Sequence, residues 1–170
     1  DADLLKGDIN VRPAKDGEEF DALNDKSYTA RKGMTAIADD SGILGLGGIV
    51  GGVSTGCTER TKNVFLECAY FNPASTARTG RDLQVDSDAR YRYDRGVDPE
   101  FVEVGIEVAT KLIMDLCGGE PSDVVKTGDA PKWDREIDFD PAYTKKLSGM
   151  DVPEDRQREI LTNLGFELNG

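Results

Sequence analysis

Apolar and polar residues alternate in several short runs of the first forty positions, and Gly, Asn and Asp separate these runs. The runs at 8–12 and 27–38 have the period of two that is typical of β-strands. The tetrapeptide Asp39-Asp40-Ser41-Gly42 predicts a turn after the second run. This rhythm predicts a small antiparallel or mixed sheet.

The stretch NVFLECAYFN, residues 63–72, predicts a buried strand with a carboxylate in its middle. Alternation divides it into two faces: Val64, Leu66, Cys68 and Tyr70 on one, and Phe65, Glu67, Ala69 and Phe71 on the other. Glu67 therefore shares a face with aromatic rings. Two plain explanations stay open, an edge position in the sheet and an internal ion pair.

Two proline-containing signals predict helices after this stretch. Asn72-Pro73 has an N-cap residue before a proline and predicts a helix through residue 77 and towards 82. Asp98-Pro99-Glu100 opens a stronger helix, which Gly118-Gly119 ends. Its core-facing stripe is predicted to be Val102, Ile106, Ala109, Ile113 and Leu116.

The last forty residues predict a separate and incomplete unit. Turn residues surround a short predicted strand at Val124-Val125 and favour a domain boundary near residue 131. Beyond it, 136–139 alternates as a strand, and 153–164 predicts a helix that Gly165 ends. About forty residues are too few for a sound core, so 131–170 is interpreted as the truncated start of another domain.

A glycine-rich run, GLGGIVGG at 45–52, raises the question of a nucleotide loop. It lacks GxxxxGK[ST], and a GxGxxG pattern starting at Gly45 fails because Val50 stands at its last position. The paired glycines favour either a pocket wall made of backbone or tight packing within a sheet, and both interpretations stay open.

Composition predicts a soluble globular chain of one domain with a piece of a second. The 170 residues are 38% hydrophobic and 32% charged, and no apolar run reaches the length of about 20 residues that a membrane span needs. The chain starts at Asp1 without methionine or a signal segment, so we expect it to be excised from a longer protein.

The absence of histidine restricts the chemistry further. The three cysteines, Cys57, Cys68 and Cys117, are widely spaced and fit reduced thiols, and without histidine or a CxxC pair no metal site is predicted. Acid–base chemistry must then come from carboxylates, from water or from a group outside this chain.

The net charge of −12 opposes binding of a long nucleic-acid duplex. A local exception is a set of arginines, which we call the arginine cluster. Its members are Arg78, Arg81, Arg90, Arg92 and Arg95. The cluster is interpreted either as a solvated face with local ion pairs or as a surface for RNA.

Four motifs in this order resemble the β chain of bacterial phenylalanine–tRNA ligase. They are GLGGIVGG, TKNVFLECAYFNPAS, SDARYRYDRGVDP and CGGE. The resemblance implies that 1–130 is the tRNA-editing module of that chain and that 131–170 begins the following winged-helix-like domain. The expected fold class is α+β or mixed α/β, with a β-rich domain of antiparallel or mixed sheets flanked by helices.

The resemblance also implies a function. The family is a cytoplasmic two-chain enzyme, (αβ)2, that joins phenylalanine to tRNA with ATP and Mg²⁺, and the α chain carries that reaction. The β-chain module hydrolyses tRNA wrongly charged with tyrosine, so the expected partners are the α chain, tRNA and the mischarged 3′ end. No cofactor in this fragment and no membrane contact are expected. A second site is needed because an apolar pocket rejects an added hydroxyl only about a hundredfold.

Carried over residue by residue, the resemblance assigns Glu67 as the acceptor of the tyrosine hydroxyl, and Gly48 and Gly51 as backbone positions of the pocket. Ser87 and Ala89 match a Thr-Asp-Ala segment at the reaction centre, with Ser here in place of Thr. The family's editing histidine precedes a Phe-Asp pair whose Asp matches Asp1, so we expect the isolated fragment to be weakly active or inactive.

A second hypothesis from a different class stays open beside the first. The chain would then be a non-catalytic structural or RNA-docking module of the synthetase heterotetramer. The arginine cluster would bind RNA, and one of its arginines would pair with Glu67 inside the fold.

Overall fold

The computed structural model describes residues 1–132 and 135–169. Contacts divide the chain into two compact units, Asp1–Pro131 and Lys132–Gly170. The first unit combines antiparallel sheets with helices, which confirms the predicted mixture of α and β structure. Two helices make up the regular structure described in the second unit. Its winged-helix-like character stays a prediction.

Six short strands make up the β part of the first unit. They are β1 (Asn10–Pro13), β2 (Glu19–Ala22), β3 (Lys26–Thr29), β4 (Thr35–Asp39), β5 (Gly42–Leu46) and β6 (Val50–Gly51). A four-stranded antiparallel sheet has the order β1-β4-β5-β6, and β2 and β3 form a separate hairpin. A bridge between Ala22 and Gly52 links the two. The predicted small sheet and the turn at 39–42 are confirmed.

The core of this unit lies where the hairpin packs against the four-stranded sheet. Phe20 and Tyr28 bring their ring centroids within 5.9 Å of each other. Ile49 and Val85 are the largest side chains that are almost completely buried. Fully buried Ala30 and Ala36 let the strands approach each other closely, so this core depends on small residues as well as large ones.

Five α-helices follow a 3-10 turn at Ala2–Leu4. They are α1 (Pro73–Asp82), α2 (Asp88–Tyr93), α3 (Phe101–Cys117), α4 (Pro141–Ser148) and α5 (Glu154–Asn163). The side chain of Asn72 accepts a hydrogen bond from the Ser75 amide at 3.0 Å, so the predicted cap of α1 is confirmed. The predicted positions of α3 and α5 are also confirmed. Neither α2 nor α4 was predicted, although Asp140-Pro141 has the same pattern of an N-cap residue before a proline that identified α1.

The predicted strand at 63–72 is wrong. Within the described residues this stretch pairs with no strand, and Val64 and Phe65 are half exposed. It contacts two helices instead: Tyr93 of α2 donates a hydrogen bond to the Ala69 carbonyl, and the Cys68 side chain lies against Gly105 of α3. A period of two fits such an extended segment as well as it fits a strand. We call residues 63–72 the extended segment.

Three smaller predictions also fail within the described residues. The short runs at 124–125 and 136–139 form no strand, and Val125 is 87% exposed. The predicted stripe of α3 does not enter the core: four of its residues are half-buried, and Leu116 is exposed. The reason is that β-strand side chains, Ile49 and Val85 already fill the core.

The first nine residues are fixed to the sheet through Asp39. Its carboxylate accepts hydrogen bonds from the Lys6 amide at 2.7 Å and from the Ser41 amide at 2.7 Å. The Asp40 amide donates to the Lys6 carbonyl at 2.9 Å. These bonds hold the N-terminal segment beside the β4–β5 turn, where it forms one wall of the cavity described next.

Candidate functional site

A cavity of about 320 Å³ lies between the sheet, the extended segment and α2. This volume is within the range of small-molecule sites, which begins at about 300 Å³. Much of its lining is aliphatic, contributed by Leu5, Ile9, Ile37, Leu44, Leu46 and Val50. Exposed Gly51, Glu67 and Ala89 also line it, so the cavity is open to solvent.

In the β5–β6 hairpin, one glycine of each pair lines the cavity and the other allows close packing. Gly48 and Gly51 line the cavity, as the resemblance implies. A Cβ atom on Gly47 would lie 2.5 Å from the Phe71 ring, and one on Gly52 would lie 2.5 Å from the Leu44 carbonyl oxygen. Both interpretations of the run therefore hold: one glycine of each pair forms the wall, and the other permits tight packing.

An aromatic pair forms the side of the cavity next to Gly48. The rings of Phe71 and Tyr93 lie 5.3 Å apart at an interplanar angle of 53°, a tilted arrangement that favours ring contact. Phe65 lines the cavity as well. Phe65, Glu67 and Phe71 were predicted to share a face, and the structure does bring them to one cavity, although they lie in an extended segment and not in a strand.

Glu67 has neither a hydrogen bond nor an ion pair in the part of the chain that the structure describes. Solvent reaches its side chain through the open cavity, yet neighbouring protein atoms desolvate the carboxyl and raise its pKa above the usual value. An ionised carboxylate here lacks part of its hydration and has no protein donor. It can accept a hydrogen bond from a ligand that enters the cavity.

Ser87 and Ala89 lie at the start of α2, and only Ala89 lines the cavity. The Ser87 hydroxyl donates to the Ile49 carbonyl at 2.6 Å and accepts from the Arg90 amide at 3.1 Å. Ser87 thus caps α2 and ties it to the glycine turn of the β5–β6 hairpin. Its predicted catalytic role, like that of Ala89, stays a prediction.

Replacing Ser87 with alanine is expected to destabilise the first unit by about 1–2 kcal/mol, since the helix loses its cap and the Ile49 carbonyl loses a donor. Threonine keeps the hydroxyl, so Ser87→Thr is expected to stay within about 0.5 kcal/mol of the wild type. Urea unfolding of the three proteins measures this difference. Equal losses for Ala and Thr would contradict the assignment of a capping hydroxyl.

The arginine cluster is partly engaged in local contacts. Arg90 donates to the Val85 carbonyl at 2.6 Å, and its Nε lies 3.7 Å from Asp94. Arg95 pairs with Asp94 at 2.8 Å and lies 3.8 Å from the centroid of the Tyr91 ring. The interpretation as a face with local ion pairs is confirmed for these two arginines. Within the described residues no arginine pairs with Glu67, so the internal ion pair predicted as an alternative is wrong.

Two features of the site were not predicted from the sequence. Tyr93 follows Ala89 by one helical turn, so this spacing could have placed both on one side of α2, but the helix itself was not predicted. The N-terminal segment reaches the cavity through Leu5 and Ile9, and no short-range pattern indicates such a long-range contact.

Two further properties concern the described residues, 1–132 and 135–169. No group of three or more Cys, Asp or Glu side chains is arranged to hold a metal ion there. No helix in these ranges is long and apolar enough to cross a membrane.

A profile of the B3/4 domain matches residues 1–118, so the chain belongs to the B3/4 domain family. The chain is also similar to curated proteins. The chain is 49% identical over 170 residues to the phenylalanine–tRNA ligase beta subunit of Ruegeria pomeroyi. It is 51% identical over 165 residues to that of Paramagnetospirillum magneticum, and 42% over 169 residues to that of Zymomonas mobilis.

These matches cover between 97% and 100% of this chain but 21% of each relative. The chain therefore corresponds to about a fifth of the length of the beta subunits that it matches. The resemblance predicted from the four motifs is confirmed.

Proposed function

We propose that this chain is the editing part of a phenylalanine–tRNA ligase β subunit, and that its cavity holds the tyrosyl group of wrongly charged tRNA while the ester is hydrolysed. One observation carries this proposal. Glu67 places an unpaired carboxylate in a cavity whose other lining residues are chiefly apolar, aromatic or glycine. Asp1 and Thr55 line it too, but the Asp1 carboxylate already accepts a hydrogen bond from Thr61. Such a site is complementary to a ring that ends in a hydroxyl donor.

Selectivity follows from the cost of leaving Glu67 without a partner. A tyrosyl phenol donates a charge-assisted hydrogen bond to the carboxylate, and such bonds contribute about 1.5–3 kcal/mol. A phenylalanyl ring displaces the remaining water and offers no donor, so the carboxylate is buried unsatisfied. The Glu67 carboxylate therefore both binds the tyrosyl group and excludes the phenylalanyl group.

In the hydrolysis, the oxygen of a water molecule bonds to the ester carbonyl carbon. The bond from that carbon to the terminal ribose oxygen breaks, and the ribose oxygen leaves with a proton. The chain has no histidine, so we assign its residues to holding the substrate. Glu67 binds the phenol end of the aminoacyl group, and Gly48, Gly51 and Ala89 leave room for it along the cavity wall.

The parent enzyme would supply the remaining chemistry and contacts. We propose that the β subunit associates with an α chain in an (αβ)2 assembly, that both bind tRNA, and that ATP and Mg²⁺ act in the charging reaction outside this chain.

Substrate preference tests the proposal against a purely structural or RNA-docking module. The parent β subunit with its α chain is expected to hydrolyse Tyr-tRNA at least about tenfold more efficiently than Phe-tRNA, because the hydrogen bond to Glu67, about 1.5–3 kcal/mol, forms with tyrosine alone. Measuring kcat/KM for release of the two radiolabelled amino acids gives the ratio. Equal rates, or no hydrolysis of either ester by the assembled enzyme, would contradict the editing role.

A further inference from the structure

Tyr93 makes the contact that fixes the extended segment near Glu67. Its hydroxyl donates to the Ala69 carbonyl at 3.2 Å. Within the described chain this is the one hydrogen bond recorded for the backbone of residues 64–71. Ala69 is two residues from Glu67, so the phenol of Tyr93 determines where that part of the segment lies against α2.

The ring of Tyr93 is itself held by two neighbours. The Phe71 ring packs against it with a centroid separation of 5.3 Å. Gly48 lies close to it as well, since an added Cβ there would lie 2.9 Å from the Cβ and Cγ of Tyr93. The ring therefore has little freedom to shift, and its hydroxyl stays directed at Ala69.

The position of this hydroxyl matters because Tyr93 and Glu67 line the same cavity. Burial and then the negative charge of Glu67 raise the pKa of the Tyr93 phenol. A phenol can donate a hydrogen bond to a carboxylate that lines the same cavity. Here the Ala69 carbonyl accepts that hydrogen bond instead, and Glu67 stays without a donor.

We propose that Tyr93 is a positioning residue for specificity: by donating to Ala69 it holds the segment that carries Glu67 and keeps its own phenol from satisfying that carboxylate. A substrate phenol then finds the acceptor vacant. This role rests on the proposed editing function, and the family comparison does not assign it. The ring of Tyr93, with Phe71, also forms the surface on which the substrate ring lies.

The test is Tyr93→Phe in the parent β subunit assembled with its α chain. The substitution keeps the ring and removes the hydrogen bond to Ala69. The ratio of kcat/KM for Tyr-tRNA over Phe-tRNA is expected to fall about fivefold to tenfold, since one hydrogen bond that aligns the acceptor is lost. The matched control is Tyr91→Phe on the same helix, whose exposed ring lies outside the cavity. It is expected to keep the wild-type ratio.

A second readout does not depend on activity. Limited proteolysis within residues 64–71 of the assembled enzyme is expected to be at least about fivefold faster in Tyr93→Phe and unchanged in Tyr91→Phe, because the segment has lost its backbone tether. The structural role alone predicts faster cleavage with an unchanged substrate ratio.

The outcomes separate this inference from the proposed function. A wild-type enzyme that prefers Tyr-tRNA, together with a Tyr93→Phe variant that keeps the full preference, overturns the role of Tyr93 and leaves the editing function intact. A wild-type enzyme without the preference overturns the editing function, and the specificity role of Tyr93 with it.

Discussion

Replacing Glu67 with alanine is expected to lower kcat/KM for hydrolysis of Tyr-tRNA by about 10–100-fold in the assembled parent enzyme, because the substrate phenol loses a charged acceptor. Hydrolysis of Phe-tRNA is expected to stay constant or rise, since the phenylalanyl ring no longer buries an unpaired carboxylate. The preference for tyrosine should therefore nearly vanish. Deacylation of the two radiolabelled esters, with the enzyme in limiting amount, measures both effects.

The matched control for this change is Glu59→Ala. Glu59 is an exposed carboxylate in the same unit and does not line the cavity. Its removal changes the net charge by the same amount and is expected to leave both rates within about twofold, as surface substitutions usually do. Equal losses in the two variants would attribute the effect to general electrostatics and would contradict a specific role for Glu67.

The raised pKa of Glu67 links this function to stability. A carboxyl whose pKa is higher in the folded than in the unfolded protein destabilises the fold when it ionises, so stability falls as pH rises through its titration range. Glu67→Gln is therefore expected to unfold at a higher temperature than the wild type at neutral pH. The gain should disappear below the unfolded pKa of about 4.3, where both proteins are neutral at this site. Ionised Glu67 thus lowers the stability of the folded unit, but it stays available to accept a hydrogen bond from the substrate.

Replacing Gly48 with alanine is expected to have the second large effect, a loss of at least about tenfold in Tyr-tRNA hydrolysis. Gly48 has a φ of +68°, and alanine adopts this left-handed conformation at a cost of about 1–2 kcal/mol. Its Cβ would also lie 2.9 Å from Tyr93 and 3.3 Å from Phe71, so the aromatic pair that lines the cavity must shift. Thermal unfolding and the deacylation rate measure the two consequences.

The variant Gly17→Ala separates the cost of the left-handed backbone from the contact with the aromatic pair. Gly17 has a φ of +84°, and an added Cβ there meets nothing within 4 Å. Both variants are expected to lose stability through the backbone, but Gly17→Ala should keep its deacylation activity under conditions in which it is folded. Full activity in Gly48→Ala at a temperature where it is folded would show that the glycine turn does not shape the cavity.

Local signals predicted the parts of the fold that depend on neighbouring residues. The cap at Asn72, the glycine stop after α3 and the turn at 39–42 all lie where the sequence indicates, because capping and turn formation use groups only a few residues apart. The faces of the extended segment were also predicted, since a period of two holds for any extended chain.

Contacts between residues that are far apart in the chain could not be predicted from the sequence. Whether residues 63–72 join a sheet depends on a partner strand, and the hydrogen-bonding groups that they meet belong to Tyr93 and the N-terminal segment instead. The burial of α3 was overestimated because its apolar residues occur on more than one face, so its periodicity does not determine which face is covered. In the site, Glu67 and the glycines were recognisable from motifs, whereas Tyr93 needed the helix that brings it beside them.

The most direct test of this account is a crystal structure of the parent β subunit, assembled with its α chain, with tyrosine amide bound. The tyrosine ring is expected to lie in the cavity against Phe71 and Tyr93. Its phenol oxygen should lie about 2.5–2.7 Å from a carboxylate oxygen of Glu67, the length of a charge-assisted O–H···O⁻ bond. Phenylalanine amide at the same concentration should leave the cavity empty. A tyrosine bound with its phenol directed away from Glu67, or equal occupancy by phenylalanine amide, would contradict the account.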